Sequence, residues 1–63
     1  MEITHDKKTD ILTIVLRDAP VADSDEGKRG VIVDYDADGG LVAIEVVGAS
    51  RLLDNLASLA TAV

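Results

Sequence analysis

The chain has 63 residues, no cysteine, and six Lys and Arg against twelve Asp and Glu, for a formal net charge of −6. That length supports one domain at most, the missing cysteines remove disulfides and thiolate metal sites, and the acidic balance speaks against nucleic acid and anionic membranes, whose affinity comes from clustered cations. A basic protein surface is the charge-matched partner left.

Hydrophobic residues make up 48% of the chain, nearly all Val, Ile, Leu and Ala, with Tyr35 the lone aromatic. Such a chain folds rather than staying disordered. A domain of about 60 residues buries only roughly 60% of the surface its unfolded form exposes, so oligomerisation is an expected staple.

The opening "MEITHDKK" lacks the basic and apolar regions of a signal peptide. No apolar run approaches the roughly 20 residues that span a bilayer. A soluble cytoplasmic protein is expected.

"EITHD", residues 2–6, alternates: Ile3 and His5 share one side, Glu2 and Thr4 the other. "ILTIVLR", residues 11–17, is rich in β-branched side chains, with Leu12, Ile14 and Leu16 on one face. "DKKTD" between them suits a hairpin loop. Residues 18–30 hold the only Pro and the acidic cluster Asp23, Asp25 and Glu26. They read as a surface connection, with at most a short edge strand near Val21 that Pro20 helps to cap.

Residues 34–45 match the calcium-loop pattern at every fixed place, from Asp34, Asp36 and Asp38 through Gly39 to Glu45. An EF-hand loop is flanked by helices. Here the incoming window carries Gly27 and Gly30, each costing about 1 kcal/mol in a helix, and both flanks are β-branched. Asp38-Gly39 is instead a two-residue type I′ turn signal. It joins strands at about 30–36 and 41–47, pairing Tyr35 with Val42, Val33 with Ile44 and Val31 with Val46. Glu45 then lies roughly 20 Å along its strand from the tip, too far to share an ion with Asp38. Asp36 at the turn is expected to bond nearby backbone N–H groups.

The tail "GASRLLDNLASLATAV" predicts an amphipathic helix over about 50–62, with Ser50 as N-cap. Leu52, Leu56, Leu59 and Val63 recur at helical spacing, widened by Leu53 and Ala60. A helix this short is marginal alone and must dock. The expected fold is thus a single α+β domain over 1–63. It is a four-stranded antiparallel, meander-like sheet, with the C-terminal helix packed on the face of Leu12, Ile14, Val31, Val33, Ile44 and Val46. One helix covers one face, so Ile11, Val15, Ile32, Leu41 and Val47, with Ala43, are left as an expected interface.

Together "EITHDKKTDILTIVL", "APVADS" and "GVIVDYDADGGLVAIEVVGAS" resemble the short prokaryotic proteins catalogued as domain of unknown function 2283, over residues 1–51. The specific parts are Asp6 with Asp10-Ile11-Leu12, and Asp34-Tyr35-Asp36, Gly39 and Ile44-Glu45. His5 departs from a position that is usually aromatic in the family, and "DSDEGKRG" lacks the Val that often follows the acidic pair. Some relatives look like partners encoded beside small toxin-like proteins, so the resemblance implies an antitoxin-like role.

His5 is the only side chain that titrates near neutrality. Asp6 and Asp10 lie close in sequence, but neighbouring strand residues point to opposite faces. His5, Asp6, Asp36 and Asp38 are the metal candidates, without recognisable ligand spacing. Asp34 and Glu45 share the mixed face of the hairpin, either solvated or paired with Arg17 or Arg51. No catalytic residue and no cofactor emerges. The expected function is a non-enzymatic homo-oligomeric interaction module, a dimer first, acting as an antitoxin-like or scaffold partner of a small protein. The alternative is a small-ligand or metal-ion binder whose site forms between subunits around His5.

Overall fold

The computed structural model describes residues 1–61. Five strands and one helix follow in chain order: β1 (Glu2–Asp6), β2 (Ile11–Val15), β3 (Asp23–Lys28), β4 (Val31–Tyr35), β5 (Leu41–Val47) and α1 (Ala49–Thr61). The expected helix end at 62, and Val63 of its stripe, lie outside the described residues.

The sheet has five strands, not four, in the order β1-β2-β5-β4-β3, every pair antiparallel. The additional strand is β3, on the acidic connection. Six exposed residues of low β-propensity form it, because an edge strand is held by backbone bonds to its one neighbour. Its charges also discourage further strands from adding there. The meander is partial: β3-β4-β5 runs in sequence, but β2 pairs with β5 rather than with the strand that follows it.

The β1–β2 hairpin matches expectation, with Asp6 opposite Ile11 and Ile3 opposite Ile14. Asp6 shapes its loop, its Oδ1 accepting the N–H groups of Lys8 and Thr9 at 2.9 and 3.4 Å.

The β4–β5 hairpin keeps the expected pairs Val31–Val46 and Val33–Ile44 by a different route. Asp38 has no positive φ, whereas Gly39 has φ +82°. The Gly39 N–H reaches the Asp36 carbonyl at 3.1 Å, and the Asp36 N–H reaches Gly40 O at 2.8 Å. The turn is therefore a three-residue loop ending in a left-handed glycine, not the two-residue type I′ form. Such a loop alone would exchange the two faces. A bulge at Val42 restores them: Tyr35 pairs with Leu41, while Asp34 pairs with Ala43. Tyr35 consequently does not face Val42, and Leu41 leaves the row of Ala43, Glu45 and Val47. The freed Val42 carbonyl accepts the N–H groups of Leu16 and Arg17 at 2.8 and 3.2 Å, locking the bulge to the end of β2.

Arg29 and Gly30 join β3 to β4, with Gly30 at φ +81° and its carbonyl accepting the Val47 N–H at 2.7 Å. A Cβ there would meet the Val47 carbonyl at 3.2 Å. Gly30→Ala is expected to cost about 1–2 kcal/mol, the penalty of a left-handed L-residue, read as a lowered urea midpoint with an unchanged slope.

The helix is not packed on the sheet. Leu52, Leu53, Leu56 and Leu59 are 44%, 52%, 53% and 66% exposed. The molecule is 42 Å long and about 20 Å thick. A seven-residue strand contributes about 23 Å and a 13-residue helix about 20 Å, so α1 extends β5 off the end of the sheet. The reason is the junction. Gly48, at φ +71°, is the N-cap, its carbonyl taking the Arg51 and Leu52 N–H groups. Only one residue separates β5 from α1, too little chain for the helix to double back. Among the described residues the buried apolar set is Val42, Ala43, Val46 and Ala49.

Candidate functional site

Pairing sorts the side chains into two faces. One carries Ile3, Leu12, Ile14, Val31, Val33, Ile44 and Val46, with Tyr35 and Leu41 at one end. This is the apolar row the sequence grouped together, but no helix lies on it. Its central members are half-buried by one another alone, except Val46, which is buried. The opposite face carries Ile11, Thr13, Val15, Ala43, Glu45, Val47, Ile32 and Asp34. Of the expected interface residues, Ile11, Val15 and Ile32 are half-buried there and Val47 is exposed. Leu41 is exposed too, but the Val42 bulge moves it to the apolar face beside Tyr35.

The centre of the mixed face holds a buried carboxylate. Asp34 is 6% exposed and accepts the Ser24 hydroxyl at 2.6 Å. Neither Asp34 nor Glu45 has an arginine partner; instead they face each other diagonally across β4 and β5. A hydrogen bond to Asp34, then partial burial and the Asp34 charge, push the Glu45 carboxyl above its ordinary value. Here the folded state holds its proton more tightly than the unfolded chain. This pair's contribution to stability is therefore complete below the ordinary glutamate value of 4.5, and is lost as pH rises through the elevated one. Glu45→Gln, which can donate to Asp34 without a charge, is expected to raise the melting temperature at pH 7 by a few degrees and to remove that loss, as thermal scans from pH 4 to 7 will show.

Asp10 ties the β1–β2 hairpin to the helix. It has φ +56°, a left-handed conformation that Asp tolerates. Its carbonyl accepts the Gly48 and Ala49 N–H groups at 3.0 and 3.1 Å. Its carboxylate accepts the Ser50 N–H at 3.2 Å and the Ser50 hydroxyl at 2.6 Å, while His5 Nε2 lies 2.8 Å from Oδ1. So Ser50 is not the N-cap; a carboxylate 40 residues away satisfies the helix start, where negative charge is favoured. The Ser50 side-chain bond, followed by that of His5, holds Asp10 below its ordinary 3.8. The Asp carboxylate accepts from both other groups, and no bond joins serine to histidine, so the cluster lacks the serine–histidine link of a nucleophilic triad. It is a helix anchor. A depressed carboxyl stabilises above its unfolded value and fails as pH falls through the folded one, so helical ellipticity at 222 nm is expected to drop on acidification below 3.8.

Asp10, not Asp6, accompanies His5; Asp6 is spent on its loop. An open cleft of about 570 Å³ beside His5 has Thr4, Thr9 and Glu45 on its walls. Asp36 bonds backbone as expected, accepting Asp38 N–H at 2.9 Å and Gly40 N–H at 2.7 Å. It also binds Arg17, whose Nε donates to the Leu41 carbonyl at 3.2 Å. The Arg17 guanidinium, then the Gly40 N–H, hold Asp36 below its ordinary value. Strands flank this loop on both sides. Among the described residues, no three His, Asp or Glu side chains gather as a metal-holding group.

A protein-family model described as "Protein of unknown function (DUF2283)" matches residues 2–50. No curated protein and no solved structure matches the chain.

Proposed function

We propose that this chain, which belongs to the DUF2283 family of proteins of unknown function, works in the cytoplasm as a non-enzymatic, homo-oligomeric interaction module, with a twofold dimer as its simplest closed form. One observation carries the reading: the single-layer sheet has no helix on its apolar face, and the leucine stripe of its amphipathic helix is largely exposed. The accessible surface is 4897 Å². A folded monomer of 6.6 kDa exposes roughly 3,900 Å². The surplus of about 1,000 Å² exceeds the roughly 800 Å² per partner of a standard interface. Among the described residues no helix is long and apolar enough to cross a membrane. Light scattering after size exclusion tests the reading: a mass of two chains at micromolar concentration is expected, and a mass of one chain refutes it.

A second reading, an antitoxin-like or scaffold role toward a basic protein, is favoured by β3, which presents Asp23, Asp25 and Glu26 on an exposed edge. Neutralising these three as Asn, Asn and Gln would then abolish salt-sensitive binding to a basic partner while leaving the chain's own mass in solution unchanged.

A further inference from the structure

We propose that two copies exchange helices, α1 of each protomer lying across the apolar sheet face of the other. This rests on the homo-oligomer reading above and names its geometry. The two unsatisfied surfaces are of matching apolar kind. The stripe of Leu52, Leu53, Leu56 and Leu59 is exposed along a helix of 13 residues, about 20 Å long. The apolar face around Ile14, Val33 and Ile44 spans four strands, from Ile3 of β1 to Val31 and Val33 of β4, about 14 Å across at 4.8 Å spacing, and Asp23 and Asp25 of β3 border it.

Within one chain the two surfaces are kept apart. Gly48 alone links β5 to α1, and Asp10 grips the residues on either side of the helix start. The helix therefore leaves along β5, beyond the end of the sheet, where its own face is out of reach and a second copy's is not. A twofold axis makes the exchange reciprocal, so one geometry covers both helices and both faces. The surplus of about 1,000 Å² per chain is what such an exchange must remove, and it meets the roughly 800 Å² per partner that a stable dimer needs.

The chain has no cysteine, so introduced thiols have no background. Chains carrying Leu56→Cys or Val33→Cys alone are made separately, unfolded, refolded together and oxidised, and the products are resolved by mass. The expected product is the mixed disulfide between one chain of each kind. If Val33→Cys does not fold, Leu12→Cys replaces it on the same face. A dimer yielding only like-with-like bridges overturns helix exchange and leaves the oligomer reading standing, since sheet-to-sheet or helix-to-helix contact would produce it. A dimer yielding no bridge also overturns the exchange. A wild-type mass of one chain overturns both.

Discussion

On the proposed dimer, Leu56→Asp is expected to leave the chain monomeric, weakening association at least about 100-fold. Leu56 sits at the middle of the stripe and is 53% exposed in the single chain, so the substitution costs the isolated fold little. In a dimer it removes a buried leucine worth about 1.5–3 kcal/mol and adds a carboxylate with no partner. Each 1.4 kcal/mol is tenfold in affinity. Sedimentation equilibrium over a dilution series reads the change, and Asp54→Asn, on the polar side of the same helix, serves as the control. Two equally tight dimers would show that the stripe is not in the contact.

Val46→Ala is expected to cost the fold itself about 2 kcal/mol, from two lost methyl groups and the space they leave. Val46 is buried and stands opposite Leu12 on one side and Val31 on the other, so it joins the two halves of the sheet. For a chain of this size that is roughly 10 °C in melting temperature. The neighbouring Val47 is 47% exposed and on the other face, and Val47→Ala should stay within about 0.5 kcal/mol. Equal losses at the two positions would mean that Val47 is covered, and with it the mixed face.

Much of the sheet was legible because alternation records which side chains travel together. Leu12, Ile14, Val31, Val33, Ile44 and Val46 do share a face. The turn differs from the type I′ form without changing that result: the third loop residue shifts the register by one and the Val42 bulge shifts it back. Leu41 and Val42 record the difference: Leu41 lies on the loop side of the bulge, and Val42 is the bulge itself, no longer opposite Tyr35. The edge strand expected near Val21 lies instead at Asp23–Lys28, because "DSDEGK" owes its strand to the backbone of β4, on which its own letters are silent. The leucine stripe was plain, but a stripe states that a helix needs cover and not which molecule supplies it. Docking on its own sheet was the economical inference, and the one-residue link at Gly48 defeats it.

The candidate site was less legible. Alternation places Asp34 and Glu45 on one face, but their closeness depends on a diagonal across the hairpin that spacing does not give. Ser24, which bonds Asp34, belongs to the missed strand. The Asp10–Ser50 link joins letters 40 apart, beyond the reach of any local capping signal. The signal that points to it is a hairpin-ending Asp together with a helix start that lacks an acidic first turn of its own.

The place of β5 between β2 and β4 also sets an order in time. Each hairpin that precedes it closes locally, β1 on β2 and β3 on β4, and neither shares an edge with the other. Only when the strand ending at Val47 is in hand do the halves meet, across a loop of some thirty residues whose closure entropy is then met at once. A chain still lacking its final strand is accordingly two ribbons without a common sheet.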